Sequence, residues 1–171
     1  MFMKRLKTYK KLGFEPITST RFEKQEANAI YTSSNYYEVF EKDLVEAEKE
    51  IVISSPDISH EKVERFVNII KPRQEKGVHV TIITENPDNH LVGNPAYFMS
   101  LMRQLQNAGI NIGYTDNVNE HYAVIDRSLV WHGGMNLLGK ADIWDNLIRV
   151  KDIQAAAELL EISLSSSWHA D

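Results

Sequence analysis

The chain has 171 residues, 43% of them hydrophobic and 25% charged, which is the mixture of one globular domain and excludes disorder over its whole length. Cysteine is absent, so a disulfide framework, a thiolate metal centre and a cysteine nucleophile are excluded. The net charge of −5 counts against a wholly basic nucleic-acid binder, and no apolar run approaches the roughly 20 residues that span a bilayer. The basic start, MFMKRLKTYKKLGF, lacks the apolar stretch of a secretory signal, and a cytoplasmic protein is expected. Its Lys4, Arg5, Lys7, Lys10 and Lys11 are either a phosphate-touching arm or a solvated terminus.

Residues 1–34 are weakly patterned, with no strand expected before residue 35. Residues 1–27 are read as an N-terminal extension and 28–171 as the domain. Tyr37, Phe40, Leu44, Ala47 and Ile51 recur at helical spacing and predict a helix over 35–50. IVISS at 51–55 is a short buried strand. Ser59 is a fitting N-cap for a helix facing inward through Val63, Phe66, Val67 and Ile70, which Pro72 is expected to kink or end. VHVTIIT at 78–84 is a second strand, followed by the loop NPDNHLVGNP at 86–95. Asn94 and Pro95 start a helix with Tyr97, Leu101, Leu105 and Ala108 on its face, and Gly109 stops it. INIGYT at 110–115, HYAVID at 121–126, LVWHG at 129–133 and NLIRV at 146–150 are further strands. Asp152 caps a last helix with Ile153, Ala156, Ala157 and Leu160 inward. This order predicts an α/β fold: a mixed, mainly parallel sheet sandwiched by helices.

Most of this pattern suits many α/β domains. Residues 119–136, NEHYAVIDRSLVWHGGMN, are more specific. They read as two strands joined by a tight turn, then the pair Gly133-Gly134, then Asn136. Adjacent glycines allow close approach of a ligand or of another strand. Asn136 either donates its amide to an anion or caps its own turn.

On these residues the chain resembles the phospholipase D superfamily, whose mark is H-x-K, four residues, D, six residues, then G-[SG]-x-N. Asp126, Gly133, Gly134 and Asn136 match the second half at the right spacing, and the resemblance covers roughly residues 28–165. The first half departs from it: Asn119 stands at the histidine position and His121 at the lysine position. The resemblance implies a metal-free phosphodiester chemistry with a histidine nucleophile, an acid from a paired site, and a lysine and asparagine holding the phosphate. An asparagine is no nucleophile. Residues 119 and 121 are expected on one face of a strand, so that His121 points into the same pocket, displaced by up to about 7 Å. His121 then either takes over the nucleophile role in a homodimeric site, or the site is dead and survives as a phosphate-binding or docking surface.

Other candidates are weaker. Asn146 either contributes a hydrogen bond to the site or merely starts a strand, and Trp144 and Asp145 stand beside it. His132 reads better as a satisfied histidine at the sheet edge than as a phosphate ligand, and His90 as a solvated loop residue. His60 and His79 read as structural. Ser54 and Ser55 end a strand where a pocket lining is conceivable. Tyr31, Tyr36 and Tyr37 suit a core role better than base stacking. No metal-ligand spacing appears, so neither metal nor cofactor is expected. NYYEVFEKDLVEAEKEIVISSP and VIDRSLVWHGGMNLLGK resemble modules appended to bacterial DNA helicases. That likeness implies nucleic acid, DNA before RNA, as the ligand, and a helicase or nuclease as partner or fused domain. Three readings stand: a degenerate nucleic-acid-binding domain, an active phosphodiesterase using His121, and a protein-interaction module.

Overall fold

The computed structural model of the protein describes residues 29–89, 94–140 and 145–165. The expectations for the N-terminal extension, for His90 and for Trp144 lie outside these residues. The elements run β1 (Ala29–Thr32), α1 (Tyr36–Glu46), β2 (Glu50–Ser54), α2 (His60–Gln74), β3 (His79–Glu85), a short 3-10 turn (Pro87–Asn89), α3 (Pro95–Asn107), β4 (Asn111–Thr115), β5 (Tyr122–Ile125), β6 (Leu129–Gly133), β7 (Asn146–Lys151) and α4 (Ile153–Ser165).

The strands form one seven-stranded sheet in the order β1-β7-β6-β5-β2-β3-β4. The expected mixed α/β sheet is present, but its balance differs. Only β2–β3 and β3–β4 pair parallel, whereas β2–β5, β5–β6, β6–β7 and β1–β7 pair antiparallel. The sequence reading missed β1, which is paired to β7 at one edge of the sheet.

Helices α1, α2 and α3 cover one face. Tyr36, Phe40 and Leu44 of α1, Val63, Phe66 and Ile70 of α2, and Phe98, Leu101, Met102 and Leu105 of α3 are buried against Ile51, Ile53, Val80, Ile82, Ala123, Ile125, Trp131 and Leu147. Spacing at three and four residues gives each helix one apolar stripe, and alternation gives each strand one inward row. Helix α4 covers the other face at β5 and β6, where Ala156, Ala155, Leu159 and Leu160 meet Tyr122, Val124 and Val130. The expected α4 face is corrected in part, since Ile153 is 72% exposed.

Helix α1 ends four residues earlier than the spacing predicts. The backbone N–H groups of Glu48, Lys49 and Glu50 donate to the Asp126 carboxylate instead of continuing the helix. Pro72 does not stop α2, which runs on to Gln74. Its ring sits in the last turn, where one lost N–H bond is tolerated. In α3 the Asn94 side chain accepts from Ala96 and Tyr97 N–H, with Pro95 first in the helix, as expected. Between α1 and the sheet, buried Asp43 accepts from the Trp131 indole at 2.8 Å and from Arg149 at 2.7 and 2.8 Å. A charge inside this core is tolerated because every oxygen is met.

Candidate functional site

The chain steps outward from β2 to β3 and β4, then returns to place β5 on the other flank of β2. Such a reversal opens a crevice at the carboxyl ends of the parallel strands, where open α/β sheets bind ligands. The loops after β3 and β4 meet at this end, with Asn89 Nδ2 donating to Asp116 Oδ1 at 2.7 Å. The start of β5, the end of β6 and the start of β7 meet here too. His121, Gly133 and Asn146 thus share one end of the sheet: Gly133 N–H donates to the His121 carbonyl at 3.2 Å, and Gly134 N–H to the Asn146 carbonyl at 3.3 Å.

Residues 119 and 121 do not share a strand face, because β5 begins only at Tyr122. A turn precedes it, built by Asn117. Its side-chain oxygen accepts from Asn119 N–H at 3.1 Å, and its amide donates to Glu120 at 2.8 Å. Short polar side chains of this kind bond the backbone two residues on and compete with strand formation. Asn119 is therefore exposed in a turn. His121 folds back, with Nε2 donating to the Val118 carbonyl at 3.0 Å. A carbonyl only accepts, so Nε2 carries the proton. Nδ1 is buried and meets no hydrogen-bond partner among the described residues.

The two glycines serve the fold. A Cβ on Gly133 would stand 2.0 Å from the Asn146 carbonyl oxygen, and one on Gly134 would stand 2.9 Å from Asp145 Oδ1. The close approach is to the start of β7. The loop after β6 is then clamped onto the loop after β2. Asn136 Oδ1 accepts from Asp57 N–H at 3.0 Å, Leu138 N–H donates to Ser55 Oγ at 3.0 Å, and Ser59 N–H donates to the Leu138 carbonyl at 2.8 Å. Met135, Leu137 and Leu138 are buried beneath it. The Asn136 Nδ2 group makes no hydrogen bond among the described residues.

Asp126 lies at the opposite end of β5, five residues or roughly 16 Å from His121. It and Arg127 form the tight turn with φ of 53° and 56°. Its carboxylate is occupied by the three amides of residues 48–50. The structure does not bring it to His121 and Asn136. Among the other candidates, Ser54 hydroxyl donates to the Glu120 carbonyl at 2.6 Å, and Ser55 to Asp57 O at 2.7 Å. His132 pairs with Tyr122 and is exposed; β6 lies inside the sheet rather than at its edge. His60 and His79 are exposed at element starts. Tyr36 is buried and Tyr31 stacks on Trp131 at 5.0 Å. Among the described residues no group of three or more histidines and carboxylates is placed to hold a metal.

Sequence reasoning missed what flanks the motif loop. A cavity of about 430 Å³ lies between Ser33, Tyr36, Ser59 and Lys62 on one side and Gly139 and Lys140 on the other. Lys62 Nζ donates to the Tyr36 hydroxyl at 2.5 Å, and that hydroxyl donates to the Leu137 carbonyl at 3.4 Å. Burial lowers the Lys62 pKa, against the pull of Glu61 and Asp57. Burial raises the Tyr36 phenol, with Tyr37 adding to it. No spacing in the sequence marks Lys62, because its partner Tyr36 comes from α1 and is itself tied to the Leu137 carbonyl.

The profile of the family described as "Cardiolipin synthase, PLD-like domain" matches residues 40–167, and the chain belongs to this family of phospholipase D-like domains. Among solved structures it is similar to Nuc, a phospholipase D family member from Salmonella typhimurium, with 15% identity, TM-score 0.63, and 81% of this chain and 93% of that one covered. NucT from Helicobacter pylori gives 14% identity, TM-score 0.60, and 81% and 94% coverage. TrmBL2, an archaeal chromatin protein with a novel mode of DNA binding, gives 16% identity, TM-score 0.58, and 95% and 57% coverage. At these identities the likeness establishes the fold. No curated protein matches the chain at a significant level. Among the described residues no helix is long and apolar enough to cross a membrane.

Proposed function

We propose that this is a phospholipase D-like domain that binds phosphodiester groups of nucleic acid without cleaving them, within a DNA-processing system. One observation carries the reading. Asn119 holds the motif's histidine position, out in an exposed turn, and His121 spends Nε2–H on the Val118 carbonyl. Neither offers phosphorus a nucleophilic lone pair at the surface. The phosphate-holding half of the motif keeps its donor, the uncommitted amide of Asn136. Support for DNA as ligand comes from TrmBL2, a similar fold whose described activity is DNA binding. The helicase-like segments at 35–56 and 124–140 support a helicase or nuclease partner.

The competing reading is an active homodimeric phosphodiesterase using His121. It requires the ring to leave Val118, because the remaining nitrogen, Nδ1, is buried. A pure protein-interaction module is disfavoured by the two lysines on the cavity beside the motif loop. The test is anisotropy of labelled single- and double-stranded DNA across a salt series. Binding should weaken as salt rises, because phosphate contacts release counterions. Asn136→Ala should cost about 1.5–3 kcal/mol of affinity with the far-UV spectrum unchanged. Absence of binding at low salt, or an Asn136→Ala affinity equal to wild type, overturns the reading.

A further inference from the structure

We infer that the cavity between the starts of α1 and α2 and the motif loop is a second phosphate subsite, with Lys62 as its fixed cation and Lys140 as its mobile one. The inference rests on the phosphodiester-binding reading and gives it a location beyond Asn136.

Lys62 is held in place, unlike an ordinary surface lysine. Its ammonium donates to the Tyr36 hydroxyl and lies 5.2 Å and 5.6 Å from the centroids of the Tyr36 and Tyr37 rings. Arg65 covers Tyr37 from 4.8 Å but is bound to Glu41 by a 2.8 Å bond. Lys62 makes no ion pair among the described residues. Glu61 and Asp57 act on this half-buried, desolvated ammonium from beyond ion-pair distance, which leaves its nearest charge-paired position open to an anion.

The surroundings add donors. Ser59 takes the N-cap position of α2, yet its side chain does not cap the helix, and its hydroxyl makes only a 3.5 Å contact with the Leu138 carbonyl. In the first turn of α2 the His60 N–H donates to the Tyr97 hydroxyl at 3.1 Å, and the following N–H groups have no side-chain cap from Ser59. Lys140 approaches from the motif loop and is exposed, while its backbone N–H donates to Asp57 Oδ2 at 3.3 Å. Glu61 lies on the lining, and the Asp57 carboxylate stands beside it, with Oδ2 2.6 Å from where a Gly139 Cβ would be. With cations on Tyr37 there is little ring face left to stack a base, so the geometry selects phosphate and not nucleobase. The cavity touches the motif loop at Gly139, whose Cβ would stand 2.9 Å from Asn136 Cβ. Successive phosphates of one strand can therefore reach both places.

The test uses the full chain with two probes, a short fluorescein-labelled oligothymidylate and inorganic phosphate. Lys62→Met keeps the apolar stem and removes the charge. Lys140→Ala changes only an exposed side chain and guards against a misfolded Lys62 variant. Each should weaken oligonucleotide binding about 10-fold and reduce the slope of log affinity against log salt by about 0.7. Arg103→Ala, an exposed cation on α3, should do neither. Inorganic phosphate should shift the amide resonances of residues 59–62 and 139–140. If wild type binds oligonucleotide and the double variant binds equally with an unchanged slope, the subsite is wrong while the phosphodiester reading stands. If oligonucleotide does not bind but phosphate shifts these amides, and Lys62→Met abolishes the shifts, the subsite stands with free phosphate as its ligand. If neither probe responds, both inferences fall.

Discussion

His121 and Val118 close a ring across the turn that leads into β5: the imidazole Nε2 donates to a carbonyl only three residues upstream, at 3.0 Å. That contact fixes the tautomer and turns the other nitrogen inward, where no partner among the described residues meets it. A histidine so placed is part of the turn. The same turn takes Asn119 off the strand.

Gly133 is needed by the sheet. Gly133→Ala should destabilise the protein by at least about 3 kcal/mol, since its Cβ would meet the Asn146 backbone oxygen at 2.0 Å and strands β6 and β7 must part. Urea unfolding followed by circular dichroism measures this. A loss below about 1 kcal/mol would show that the strands give way easily.

Asp126 is predicted to act on stability and not on ligand binding. Its carboxylate accepts three backbone N–H groups at the α1–β2 junction. Asp126→Ala should cost roughly 2–3 kcal/mol in urea unfolding, while DNA affinity of the folded variant stays at the wild-type value. A selective loss of affinity would return Asp126 to the binding site.

Alkaline pH should destabilise the fold through its buried phenols. Burial pushes the Tyr122 pKa from 10 up to about 12, with the Ser163 hydroxyl opposing. Burial likewise pushes Tyr37 up to about 12. The unfolded chain loses these protons first, so the folded state holds more protons between the two values. The stabilisation is complete below about pH 10 and is lost as pH rises towards 12. Tyr122→Phe should flatten that fall by up to about 2 kcal/mol in thermal or urea melts taken between pH 9 and 11.5. An identical slope in wild type and variant would contradict it.

Much of the fold was legible because it is locally encoded. The Asn94-Pro95 cap and the turn-bounded hairpin of β5 and β6 carry their signals within a few residues. Strand β1 does not. Its four residues alternate half-buried and exposed, and they become a strand only through β7, more than a hundred residues later. The site divides in the same way. The spacing of Asp126, Gly133, Gly134 and Asn136 gave the family. The polar run DNVNE before His121 carries turn chemistry, yet Asn119 was expected to share a strand face with His121. Lys62 was invisible, since its importance comes from Tyr36 on another helix and from a carbonyl of the motif loop.

The most direct measurement is hydrolysis of bis-p-nitrophenyl phosphate and of single-stranded DNA at high protein concentration with chelator present, by wild type and by the Asn119→His, His121→Lys double variant. Wild type is predicted to show no turnover above background while still binding DNA in a salt-sensitive way, and the double variant is predicted to raise turnover by restoring the nucleophile and the fixed cation. Wild-type turnover that survives chelator and disappears in His121→Ala would contradict the account and make His121 a catalytic nucleophile.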